Sequence, residues 1–303
     1  MTSRQFQGRE LRRLHSGVWV WTGHEMTHGD AIEAARLAVP ERARVSHLTR
    51  VQQLGLDHGP LDPIHLSIVG DHHLDLDGVF LHRTEIMPPC DPVGVSGSAA
   101  FIGYAATARV IDLVVVGDWL LHRGHMSPAG LVELAWRDRW RPGAQEALWV
   151  ARYLDGAARS PGESETRVFL QFAGLPRPEV NVRIADDPHA PTSDLWLPEW
   201  ALALEYEGSQ HFVDPEQVRR DIGRYAWMRS RDIEYLQVTA AMRARPRAVV
   251  LTAHALLVER GYRGRAPEFG PTWDLLFGRC PQKEVSWQPQ PSARRLPAHR
   301  RPA

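Results

Sequence analysis

The stretch Trp200-Ala-Leu-Ala-Leu-Glu-Tyr-Glu207 constrains this chain more than any other. Its first half is apolar, as a central strand must be, and its second half carries two carboxylates two residues apart. Side chains of a strand alternate between faces, so Glu205 and Glu207 belong to one side of any sheet this stretch joins. Like charges on one face repel, and burying an unpaired carboxylate is costly. Two readings follow. Either the strand is leaving the core with solvated carboxylates, or a divalent cation that prefers oxygen ligands, Mg²⁺ or Mn²⁺, holds them.

The flanking sequence predicts a small α/β unit around that strand. Residues 163–172 read as a helix, opened by Ser160 or Ser164 and closed by Gly174. Strands follow at 180–184, 194–197 and 200–207, then a helix at 215–229, a strand at 234–238 and a helix at 247–260. That order gives a mixed sheet flanked by helices. A turn at Pro198-Glu199 folds the chain back antiparallel and sets Asp194 beside Glu205. Glu165, in the opening helix, is placed to lean over the end of the sheet. Glu163 is the competing carboxylate of that turn, where an acidic residue also offsets the helix dipole. Gln210 and His211 come just after the strand, where they would touch a phosphate or a water. Arg220, Asp221 and Arg224 fall on the next helix. A surface ion pair is their default, and orienting the carboxylates or meeting a nucleic-acid backbone is the functional alternative.

Composition adds one sharp fact. Lys283, in the C-terminal tail, is the sole lysine, so chemistry that needs a lysine in the folded core is closed. Net charge is zero and decides nothing about a nucleic-acid partner. Cys90 and Cys280 lack metal-ligand spacing and suit a reduced, cytoplasmic compartment. No stretch has the length of apolar sequence that a membrane span needs.

The runs Ser164-Glu-Thr-Arg167, AGLPRPEVNV (173–182), Ser193-Asp-Leu195, LALEYEGSQH (202–211) and Arg219-Arg-Asp-Ile222 resemble a family of bacterial proteins. Their C-terminal domain is similar to the very-short-patch-repair endonuclease, within the PD-(D/E)XK superfamily of restriction-endonuclease-like folds. The resemblance implies that Asp194 and Glu205 bind the metal, with Glu165 as a further ligand. Glu207 stands where the superfamily's usual lysine would be. General-base work would then fall on a metal-activated water, helped by Glu207 or His211. The N-terminal half, through VSHLTRVQQLGL (45–56), HLSIVGD (65–71), VFLHRTEI (79–86) and LVVVGDWLLHRGHMSP (113–128), resembles abortive-infection-type antitoxins. Many of these open with a winged helix-turn-helix, and here LRRLHSGVWV (11–20) matches its wing.

Three regions are expected. Residues 1–158 form an α+β region, with helices at 29–37, 45–56, 106–121 and 127–136 and strands at 64–69 and 79–82 joined by a polar hairpin, 71–77. A Gly/Pro-bearing linker at 155–162 leads to the nuclease-like unit, 159–262. Residues 263–303 are rich in Pro and Arg, and that composition predicts disorder apart from an apolar turn at 273–277. The function expected is a Mg²⁺-dependent DNA endonuclease or nickase, with RNA open as a substrate and a homodimer open as an assembly. Its alternative is a non-catalytic, antitoxin-like DNA- or protein-binding regulator on a nuclease fold.

Overall fold

The computed structural model describes residues 10–187, 190–207 and 215–281, with the backbone alone described over 215–221. The chain is a mixed α/β fold. Its N-terminal half runs β1 (Leu11–His15), β2 (Val18–Trp21), α1 (His28–Ala38), β3 (Arg44–Val45), α2 (His47–Gln53), β4 (Ile64–Val69), β5 (Val79–Thr84), α3 (Gly97–Ala105), α4 (Val110–His122), α5 (Pro128–Arg137) and α6 (Ala144–Val150). The C-terminal half runs α7 (Pro161–Phe172), β6 (Glu179–Arg183), β7 (Thr192–Leu197), β8 (Leu202–Glu207), α8 (Pro215–Arg229), β9 (Glu234–Thr239), α9 (Ala240–Arg243), α10 (Pro246–Glu259) and α11 (Pro271–Leu275). No helix among the described residues is long and apolar enough to cross a membrane.

The elements of the C-terminal half form where local chemistry asks for them. Ser160 caps α7 by accepting from Glu163 N at 3.2 Å, with Pro161 in the first turn and Gly174 at φ +82° after the last. The sheet order is β6-β7-β8-β9, with β6, β7 and β8 antiparallel and β9 parallel to β8. Leu195 pairs with Leu204 and Trp196 with Ala203. Leu195, Leu197, Leu202 and Leu204 join the main core, where α7 and α10 also pack. Trp196 and Ala203 join a second cluster with Met228 and Tyr225 of α8. Both faces are therefore covered by helices, as an apolar central strand requires.

The N-terminal half departs from expectation in three places. Strands β4 and β5 pair in parallel, Ile64 beside Val79 through Val69 beside Thr84, so residues 70–78 are a return loop and not a hairpin. Alternating sequence fixes which face is apolar but carries no strand direction. The helix expected over 106–121 begins at Val110, and α3 and α6, short and apolar on most sides, precede and follow.

The expected division at residue 158 is not a division of the core. One cluster of buried apolar residues runs from Leu48 through Val114, Ala158 and Leu170 to Leu276. The supposed linker is pinned: Asp155 N donates to Asp118 Oδ1 at 2.6 Å, and Ala158 is buried. A fully buried ion pair joins α4 to α7, Asp118 Oδ2 to Arg167 Nη2 at 2.6 Å. The segment after 262 packs as well, up to the last described residue. Trp273, Leu276 and Cys280 are buried in the main core. Helix α4 has no side-chain cap. Its first amides, Val110 N and Ile111 N, donate instead to Gly278 O and Leu276 O at 2.9 and 3.0 Å.

Candidate active site

Strand β8 carries its burial past the apolar residues, and Glu205 is only 2% exposed. The antiparallel register that sets Leu195 beside Leu204 brings Asp194 beside Glu205 one step further on. Tyr206 N donates to Asp194 Oδ2 at 2.9 Å. Ser193 Oγ donates to Glu205 Oε1 at 2.8 Å, and Arg224 Nη2, from α8, donates to Glu205 Oε2. Burial nonetheless dominates. It pushes the Glu205 carboxyl up to about 8, Asp194 adding to the rise and Arg224 opposing it.

A narrow crevice lies between these carboxylates and the first turns of α7. Glu163, Thr166, Asp194, Glu205 and Tyr206 line it, and it has no volume open to a water-sized sphere. Glu163 is the third carboxylate here. Burial raises its carboxyl above the ordinary range, and the charge of Asp194 raises it further. It is also committed to the start of its helix, accepting from Arg159 N at 2.8 Å, Ser160 Oγ at 2.9 Å and Asn181 Nδ2 at 2.5 Å. Thr166 Oγ1, buried on the wall of the crevice, has no hydrogen-bond partner among the described residues. Gly162 makes the close approach of helix and strand workable, since a Cβ there would stand 2.5 Å from the Tyr206 ring.

Glu165 is not the helix carboxylate of this crevice. Residues two apart on an α-helix are about 200° apart around its axis, so Glu163 and Glu165 face different ways. Glu165 Oε2 pairs with Arg243 Nη1 of α9 at 3.1 Å. It sits in a second charged group with His58, Asp112 and Arg109. Burial raises its carboxyl, with Arg243 opposing. Of the two acids in that turn, the structure brings Glu163 to Asp194 and Glu205.

Glu207 shares the α8-facing side of β8, as the period of two requires. Its Oε1 accepts from Gln237 Nε2 at 2.9 Å, and the same amide donates to Tyr225 Oη at 2.7 Å. Gln237 stands beside Glu205 in the parallel β8-β9 register, a placement that no local pattern announces. Arg224 turns inward, its Nη2 donating to Glu205 Oε2 and to Thr192 O at 2.5 Å. Gln210 and His211 lie outside the described residues, as does the side chain of Arg220.

The donor set at the crevice is hard oxygen, the kind that Mg²⁺ takes through one or two carboxylates with waters and phosphate oxygens completing its shell. Asp194 and Glu205 are donors of that kind, and Thr166, whose buried Oγ1 has no partner among the described residues, lines the same crevice. Among the described residues, no group of three or more His, Cys, Asp or Glu is arranged to hold a metal ion by itself.

No family model matches the chain, and no solved structure matches it. Two proteins from two strains of Mycobacterium tuberculosis, each described as uncharacterised, are 33% identical to it over 93 residues. The match takes in 29% of this chain and spans only 33% of the relatives' length, so it is a likeness over one segment of each.

Proposed function

We propose that the chain is a metal-dependent phosphodiester hydrolase of the restriction-endonuclease-like kind, acting on DNA. The observation that supports it best is Glu205. A carboxyl group 2% exposed, set opposite Asp194 and raised to about 8, is one whose ionised form Arg224 compensates only in part, so a cation is the complement that form lacks. In this reading Asp194 and Glu205 hold a Mg²⁺ or Mn²⁺ ion. The ion would activate water and neutralise charge developing on the phosphate. Ser193 holds Glu205 Oε1 and Arg224 holds Oε2, and the Asp194 amide adds a further hydrogen bond to the same carboxyl. Glu207, oriented by Gln237 and two residues further along the same strand, would take a proton from water in this reading.

A second reading has its own observation. Arg224 already neutralises Glu205, Glu163 is tied to its helix cap, and the crevice is tight. That is what a fold kept for binding, without cleavage, would look like. A plasmid-nicking assay with Mg²⁺ or Mn²⁺, run on the wild type, Asp194→Asn and Glu205→Gln, separates the two. Hydrolysis by the wild type that falls by about a hundredfold or more in each variant supports the first reading. Equal activity in all three, or none on any form of DNA or RNA with either metal, defeats it. A gel shift that survives a chelator without cleavage then favours the second.

A further inference from the structure

A second cavity, about 950 Å³ in volume, lies in the N-terminal half between the β3-β4-β5 sheet and helices α2 and α3, and shares no residue with the carboxylate crevice. The parallel register sets His65 beside Phe80 and Ser67 beside His82, so the cavity side of this strand pair is polar and aromatic. Its other side is aliphatic, with Ile64 and Leu66 packed on Ile32 and Ala35 of α1. His47, at the start of α2, completes the aromatic wall. Its ring stacks on His82 with 3.6 Å between centroids and 14° between planes. Phe80 lies 4.5 Å from His82, and His65 Nδ1 is 3.0 Å from His82 Nε2.

The backbone is bent to build this wall. His47 adopts φ +53°, a left-handed conformation that a non-glycine residue takes only when its surroundings impose it. Gly103 of α3 makes room for the ring, since a Cβ there would stand 2.9 Å from His47 Nε2. Burial is the first cause that keeps all three imidazoles neutral, and their mutual repulsion adds to it for His47 and His82.

Rings stacked face to face cannot aim their lone pairs at a single ion, which needs converging ligands. Being neutral, they also make a poor receptor for a bare anion. They offer π faces and mixed donor and acceptor edges, the complement of a planar nitrogen heterocycle. Two more rings stand at the mouth, Phe80 and Trp140, each about half exposed (53% and 54%). Arg83 and Arg141 line the same cavity. Each has an acidic partner, Asp71 and Asp138, but a guanidinium carries five N–H donors and keeps some for a phosphate.

We propose that this cavity binds a nucleotide at the monophosphate level. The base stacks on Phe80 and Trp140 and turns its edge to His47, His65 and His82, and Arg83 and Arg141 meet the phosphate. The site stands independently of the carboxylate crevice and of any hydrolysis there.

The test is calorimetric titration of the full chain with AMP, GMP, CMP and UMP, and separately with inorganic phosphate and Zn²⁺. Tryptophan fluorescence gives a parallel readout through Trp140. At least one nucleotide is expected to bind one to one. Phe80→Ala and Trp140→Ala, both at half-exposed positions and checked for native fold by circular dichroism, are expected to weaken it by about tenfold or more each, in keeping with the loss of a base-stacking partner. The proposal is overturned if no nucleotide binds up to about 1 mM, the weak end of specific recognition. It is equally overturned if neither variant changes the affinity, if inorganic phosphate binds as tightly as the nucleotide, or if Zn²⁺ alone saturates the site and His82→Asn abolishes that binding.

Discussion

Replacing Asp118 by alanine should loosen the joint between the two halves of the chain. The Asp118–Arg167 pair is essentially inaccessible, at 1% and 0% side-chain exposure, and closes at 2.6 Å. Arg167 Nη1 also donates to Tyr153 O at 2.7 Å and to Gln171 Oε1 at 3.1 Å, so the guanidinium is held in place whether or not Asp118 is there. Asp118→Ala therefore strands a buried cation, and removing one partner of such a pair costs about 3–5 kcal/mol. The Asp155 amide, which donates to Asp118 Oδ1, loses its acceptor as well. These losses overlap, so about 4 kcal/mol is the expected total. For a chain of this size that lowers Tm on the order of 10 °C. Urea unfolding followed by tryptophan fluorescence, with calorimetry for Tm, measures it. The double variant Asp118→Leu/Arg167→Met removes both charges and should recover most of the loss, because an apolar pair avoids the cost of desolvating ions. A cost below about 1 kcal/mol for Asp118→Ala, or a double variant as unstable as the sum of its singles, would refute the reasoning.

Three further outcomes follow from single groups. Gly143→Ala should prevent folding to a native yield, since Gly143 sits at φ +89° and a Cβ there would lie 1.8 Å from Ile102 O; circular dichroism of the purified variant checks it. Glu205 keeps its proton in the folded chain up to about pH 8 while the unfolded chain releases it near 4.5, so its contribution to stability falls as pH rises through that window. Glu205→Gln should thus gain on the wild type from pH 5 to 8, by on the order of 2–4 kcal/mol at the top, and a pH-independent difference in urea midpoints would count against it. His82 is the opposite case. Its imidazole is held down to about 4 by burial and by His65, against an ordinary value of 6.5, so the unfolded chain takes the proton first. Stability should be lost as pH falls from 6.5 to 4, and His82→Asn should flatten that part of a Tm-against-pH curve.

Much of the C-terminal half was legible because local rules suffice there. Ser160, Pro161 and Gly174 mark the ends of α7, and the turn at Pro198 predicts the antiparallel pairing that brings Asp194 to Glu205. Choosing between Glu163 and Glu165 needed more than the sequence supplies. Both lie in one helical turn, and the choice depends on how α7 is rolled against the sheet, which α4 and the Asp118–Arg167 pair help to set. Gln237 was illegible for a related reason. Its place beside Glu205 comes from a parallel register across an intervening helix. In the N-terminal half the same lack of direction in an alternating pattern concealed the parallel β4-β5 pair, and with it the histidine-lined cavity. Of the segment after residue 262, the apolar turn at 273–277 was legible, the packing of Phe269 and Cys280 beside it was not, and residues 282–303 lie outside the described ones. Pro and Arg content spoke for disorder on either side of that turn, whereas Trp273 and Leu276 seat the residues around them, up to 281, in the core.

The carbonyls of Gly278 and Leu276 that finish the start of α4 have a consequence for how the protein is made. Val110 and Ile111 leave the ribosome more than half a chain length before the residues that accept their amide protons. At roughly 5–20 residues per second, that helix waits on the order of ten seconds for its cap, with the trough that Trp273 and Leu276 will fill still open to water. The nascent chain therefore passes through an interval in which its central helix is the exposed one. A released chain ending at residue 262 should be cut readily by a protease, whereas one ending at residue 281 should resist it.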